Sequence, residues 1–210
     1  MREARRAEIV VIAGVNGAGK SSVVGEALRQ RGADYHNPDE MTRAYLDRGL
    51  GAGEANSRAW QRGRQALIRA IDDQIDFAFE TTLGGRTMTD LLIRAAQKGM
   101  RVRMIYVGLA TVELHIERVR VRVLRGGHAI PEERIRERWQ SSRQNLIRLL
   151  PHLIELRLFD NSRETHPEQG AACSPRLLLA MRDGQIVYSV PLDEVPDWAK
   201  PVMMASAQMR

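Results

Sequence analysis

Cysteine is nearly absent from this chain of 210 residues: Cys173 stands alone, which excludes a disulfide framework and a cysteine-based zinc site. Aromatic residues are scarce too, three Trp, four Tyr and three Phe, too few for a base-stacking surface. No apolar run is long enough for a membrane span. The charged start Met1-Arg2-Glu3-Ala4-Arg5-Arg6 leads into an apolar stretch too short for a signal peptide. Lysine is missing almost everywhere, three against 29 arginines. The net charge of +6 invites a nucleic-acid partner. However, 26 acidic residues are interspersed among the arginines, and arginine replaces lysine throughout, a compositional habit rather than a basic patch. The expectation is a soluble, cytoplasmic α/β protein forming one domain over residues 1–210, with no membrane or nucleic-acid partner.

One of the three lysines closes Gly14-Val15-Asn16-Gly17-Ala18-Gly19-Lys20-Ser21, which fits G-x-x-x-x-G-K-[ST], the loop that wraps the phosphates of ATP or GTP. The context agrees. Glu8–Ala13 is a short β-branched run suited to a buried parallel strand, and residues 22–30 read as helix, with Val24, Ala27 and Leu28 on one face. Glycines allow successive N–H groups to point into one concavity, where phosphate oxygens replace water. The next helix adds its free N–H groups and positive dipole end. Nucleotide contacts are therefore expected from Gly14, Asn16, Gly17, Ala18, Gly19, Lys20, Ser21 and Ser22. Lys20 follows charge on the β- and γ-phosphates, and the Ser21 hydroxyl is offered to Mg²⁺, which keeps most of its ligands as water and phosphate oxygen.

Periodicity and punctuation predict strands near 7–13, 33–37, 75–80, 101–108 and 154–160, and helices near 20–31, 38–48, 56–73, 87–98, 111–125 and 131–150. This alternation implies a parallel sheet with helices on both faces. The Asp183-Gly184 pair between two β-rich runs predicts a hairpin over 176–190, read as a C-terminal accessory.

In open α/β sheets ligands bind beyond the carboxyl ends of the strands, so polar residues there are candidates. Asn37-Pro38-Asp39-Glu40 follows the second strand. Asp39 reads either as a helix-start acid or as a general base that accepts a proton from an attacking hydroxyl. The third strand ends abruptly in Glu80-Thr81-Thr82, followed by Gly84-Gly85-Arg86. Glu80 needs partners at a buried strand end. It either pairs with Arg86 or caps the next helix, or it grips the acceptor hydroxyl with Thr81, Thr82 and Arg86 beside it. Along 111–125, Val112, Ile116, Val119 and Val123 form an apolar stripe beside Arg118, Arg122 and Arg125. That basic stripe is either a solvated face or a lid, over about 111–140, that stabilises charge on the transferred phosphoryl group. Gly126-Gly127-His128 supplies a flexible break, and Asp160-Asn161-Ser162 is either a plain turn or an adenine contact.

Gly14–Ser21, Asn37-Pro38-Asp39-Glu40, Phe79-Glu80-Thr81-Thr82, Arg118-Val119, Arg122-Val123, Gly126-Gly127-His128 and Asp160-Asn161-Ser162 together resemble the zeta toxin family of P-loop kinases, in particular its compact bacterial members. The resemblance implies an ATP- and Mg²⁺-dependent kinase that phosphorylates a hydroxyl. In the best-known family activity this is the 3′-hydroxyl of the nucleotide-sugar UDP-N-acetylglucosamine. It implies Lys20 and Ser21 on ATP and Mg²⁺, Asp39 as base, Glu80 on the acceptor, and Arg118 and Arg122 in the lid. Arg125, Arg136 and Arg138 all remain open for a second lid arginine, and an antitoxin protein is an implied partner. Two other readings of the residues stand beside this one: a polynucleotide or nucleoside kinase, and a nucleotide-gated binding module without turnover.

Overall fold

Apolar β-branched runs flanked by glycine and polar turns favour buried strands, and seven of them join one sheet. The computed structural model describes residues 5–20, 35–163 and 175–209. The strands are β1 (Glu8–Ala13), β2 (Tyr35–His36), β3 (Phe77–Thr81), β4 (Arg101–Gly108), β5 (Glu155–Asp160), β6 (Arg176–Arg182) and β7 (Gln185–Ser189). Their order is β2-β3-β1-β4-β5-β6-β7, parallel from β2 to β5 and antiparallel in the last two pairings. The fold is therefore α/β with a mostly parallel sheet. β1 sits between β3 and β4, with Ala13 in register with Thr81 on one side and Tyr106 on the other. The chain thus delivers the glycine loop between the carboxyl ends of two neighbours, the crevice where such sheets bind ligands.

Six helices lie among the described residues: α1 (Pro38–Leu46), α2 (Ala52–Asp73), α3 (Arg86–Gln97), α4 (Val112–Leu124), α5 (Glu132–Leu149) and α6 (Lys200–Ala207). Asn37 caps α1 in an extended conformation, and Pro38 occupies its first position, where a missing N–H costs nothing. Beyond Lys20, the helix expected over 20–31 lies outside the described residues, as do Ser21, Ser22, Cys173 and the start of the strand expected over 33–37. α2 begins at Ala52, four residues before the expected start at 56, behind the extended Gly51.

The hairpin turns at Asp183-Gly184 as expected, but it does not sit apart from the sheet. β6 pairs with β5 and continues it, because Leu178, Leu179 and Met181 are apolar enough to be buried in the main core. α6 was not expected from sequence; it adds Val202 and Met203 to that core. A smaller cluster of Val15, Ile116, Val119 and Ile135 fastens α4 and α5 against the glycine loop. Val123, assigned to the apolar stripe, is instead exposed, as is Leu124 at 87%. The C-terminal turn of α4 has left the core.

Candidate functional site

The glycine loop takes a shape that L side chains resist. Gly14, Gly17 and Gly19 have φ of +140°, +82° and +85°. A Cβ at each would meet Val107 O at 2.1 Å, His115 O at 2.6 Å and Asn161 Nδ2 at 2.5 Å. The glycines thus serve both conformation and close approach. Lys20 follows at the rim of a cleft of about 950 Å³ that is also lined by Asn16, Asp39, Glu80, Thr82, His128 and Arg138. Burial holds the Lys20 ammonium below its ordinary pKa, opposed by the negative charges of Glu80 and Asp39 and assisted by Arg122 and Arg138. Those five charged groups therefore share one field.

Asp39 lies in the first turn of α1, where Asn37 Oδ1 accepts from the Asp39 N–H at 2.9 Å. Its carboxylate accepts from Arg122 Nη1 at 2.9 Å and faces His128 Nε2 at 3.8 Å. Arg122 Nη2 donates to the His128 carbonyl at 3.4 Å. Burial, partly offset by Asp39, lowers the His128 pKa, so the ring is neutral near pH 7. Glu80 is buried at the end of β3 and accepts from the Tyr35 hydroxyl of β2. Arg86 is not its partner. As the first residue of α3, Arg86 is exposed and lies outside the cleft lining. Thr81 and Thr82 both line the cleft, but the Thr81 hydroxyl accepts from Leu83 N–H at 3.0 Å. Leu83 is buried with φ of +53°, and its carbonyl is fixed by Asn145 of α5 at 2.8 Å. Such strain persists where the surroundings over-determine it, and functional sites are frequent examples.

The arginines separate in space. Arg118 donates to Asn161 O at 2.9 Å and, like Arg122, is not among the residues lining the cleft. Arg125 is exposed, and Arg136 pairs with Glu113 at 3.0 Å on the outer surface. Arg138 enters the cleft and donates to Asn16 Oδ1 at 2.8 Å, passing so close to Gly84 that a Cβ there would meet its Cγ at 2.6 Å. At the end of β5, Asp160 accepts from Ser162 and from Trp198 Nε1 at 2.9 Å, and Asn161 Nδ2 donates to Ala18 O at 2.9 Å. These residues brace the loop from outside the cleft.

Sequence reasoning missed Tyr35, His115 and the contribution of α2, which brings Asn56 and Trp60 to the cleft. His115 is buried and its Nδ1 lies 2.8 Å from Asn16 O. The only signal available for His115 was a histidine on the apolar face of a helix, which is more often a core residue.

The sequence profile of the zeta toxin family matches residues 1–166. The chain belongs to the zeta toxin family. An uncharacterized protein of Haemophilus influenzae is 34% identical over 70 residues, 33% of this chain and 50% of that protein. In structure, the chain is similar to one from the AvrRxo1-ORF1:AvrRxo1-ORF2 complex, crystallised with sulphate ions and with ATP. The TM-scores are 0.65 and 0.64 at 15% identity, and both matches cover 96% of this chain and 64% of that one. A chain of the Pnkp1/Rnl/Hen1 RNA repair complex matches at TM-score 0.51 and 14% identity, covering 84% of this chain and 50% of that one. This zeta toxin family member thus spans half to 64% of the length of these relatives, and at such identities the structural matches speak for the fold.

Proposed function

We propose that the protein is an ATP- and Mg²⁺-dependent kinase that phosphorylates a hydroxyl of a nucleotide-sugar such as UDP-N-acetylglucosamine. The observation that carries this reading is the convergence of Lys20, Asp39, Glu80 and Arg138 on one cleft beside the glycine loop, with Arg122 paired to Asp39. A binding module needs cations for phosphate, but it has no use for two carboxylates facing the same lysine. Proton removal from an alcohol does. The relative crystallised with ATP supports the donor.

Lys20 and the loop N–H groups hold the β- and γ-phosphates. The buried Nε of Arg122 has no acceptor among the described residues, so an anion would satisfy it. Asp39 accepts the proton of the attacking hydroxyl, Glu80 holds the acceptor, and Arg122 and Arg138 stabilise the equatorial oxygens as charge spreads over the phosphoryl group. In this assignment Arg138 is the second lid arginine. Mg²⁺ would be held chiefly by phosphate and water. Ser21 would supply its protein ligand, and the ion would neutralise phosphate charge. An antitoxin protein is the proposed partner, in keeping with the two-protein complex of the AvrRxo1 relative.

The test is transfer of label from γ-labelled ATP with Mg²⁺ to UDP-N-acetylglucosamine, a nucleoside, a single-stranded oligonucleotide and a bacterial metabolite extract, offered in parallel. Label is expected on the sugar nucleotide, and Lys20→Ala should abolish it. Preferential labelling of the nucleoside or oligonucleotide would replace the acceptor. No labelled product in any reaction would refute the kinase reading.

A further inference from the structure

The phosphate loop is gripped from behind. We propose that His115 is a positioning residue that aims the loop's N–H groups by holding the Asn16 carbonyl turned away from the phosphate side. The proposal rests on the phosphate-binding reading of the loop. In this role His115 acts through the loop backbone.

In a trans peptide the C=O of one residue and the N–H of the next point in opposite directions. The Asn16 carbonyl lies 2.8 Å from His115 Nδ1, on the α4 side of the loop. A carbonyl only accepts, so Nδ1 carries the proton, and the Gly17 N–H of the same peptide faces the other way. Asn161 Nδ2 repeats the device two residues on. It donates to Ala18 O at 2.9 Å, which turns the Gly19 N–H inward. Asn161 is itself held by Arg118 at 2.9 Å.

The grip leaves little slack. Gly17 packs so tightly on the His115 backbone that no Cβ fits, and Val15 is buried with Ile116, Val119 and Ile135. Residues 115–119 of α4 and the loop therefore form one packed body.

The experiment measures ATP binding by calorimetry on the full chain. His115→Asn presents an amide N–H near the place of Nδ1, whereas His115→Leu keeps bulk and removes the donor. Losing one such bond is expected to weaken ATP binding by about 10-fold or more in His115→Leu, while His115→Asn stays within about 3-fold of wild type. Nucleotide-free melting of the two variants is compared alongside. A merely structural histidine predicts equal ATP affinities whatever the melting temperatures, and that result overturns the proposal. A measurement on the wild type stands whether or not His115→Leu folds. The Nδ1–H proton resonance of His115 should be slow to exchange and should shift when ATP is added. An unshifted resonance overturns the proposal. Wild-type protein that binds no ATP overturns the phosphate-loop reading itself, and the role of His115 with it.

Discussion

Burial lowers the His115 imidazole from 6.5 to about 4, resisted by its bond to the Asn16 carbonyl and reinforced by Lys20, Arg118 and Arg143. The unfolded chain takes up this proton below about pH 6.5 and the folded one only near pH 4, so stability is full above that window and falls as pH drops through it. The loss from pH 7 to pH 4 is about 3 kcal/mol from this residue alone. Urea unfolding of wild type and His115→Asn at several pH values measures it. The variant should lose correspondingly less stability on acidification, and parallel curves would contradict the assignment. At this scale the sequence was readable where chemistry interrupts a pattern. Glu80 stands out because an acid ends an apolar strand, and Lys20 because a motif surrounds it. His115 was not legible, since a histidine on an apolar helix face carries no mark of its partner. Nor was the choice among Arg125, Arg136 and Arg138. All three are helical or helix-end arginines, and only the packing of α5 across Gly84 sends Arg138 inward.

Elements whose apolar period matched a buried face were placed within a few residues, β4 at the predicted bounds. The C-terminal elements were harder. α6 is short, and its role depends on a contact far away in sequence. Immediately before it, Trp198 stacks on Tyr106 with centroids 6.2 Å apart, lies against Gly108 and donates to Asp160 at 2.9 Å. The residue is only 2% exposed. It joins the tail, outside the family match, to the ends of β4 and β5 beside the loop. Trp198→Ala should cost about 3–5 kcal/mol, from a large cavity and from the loss of one of the two donors to Asp160. For a chain of this size that is a fall of roughly 10 °C in melting temperature. Differential scanning calorimetry measures it, and a change under about 2 °C would show that the C-terminal segment does not stabilise the sheet.

Across the whole molecule, the strand order does the decisive work. By setting β1 between β3 and β4 it gathers residues from four separate stretches, the loop, Asp39, Glu80 and Arg138 of α5, into one cleft, with Arg122 of α4 paired to Asp39. α/β alternation and the glycine loop made that gathering readable in outline. Distances and partners were not, because they arise from helix packing that leaves no local trace. In the function proposed above, the cleft moves a proton as a phosphoryl group arrives, and Asp39 is the group assigned to take it. The decisive measurement is therefore single-turnover phosphoryl transfer by Asp39→Asn, with ATP affinity determined on the same sample. Transfer should fall by about 100-fold or more while ATP affinity stays within about 3-fold of wild type. An Asp39→Asn protein that transfers phosphate at the wild-type rate would contradict that assignment.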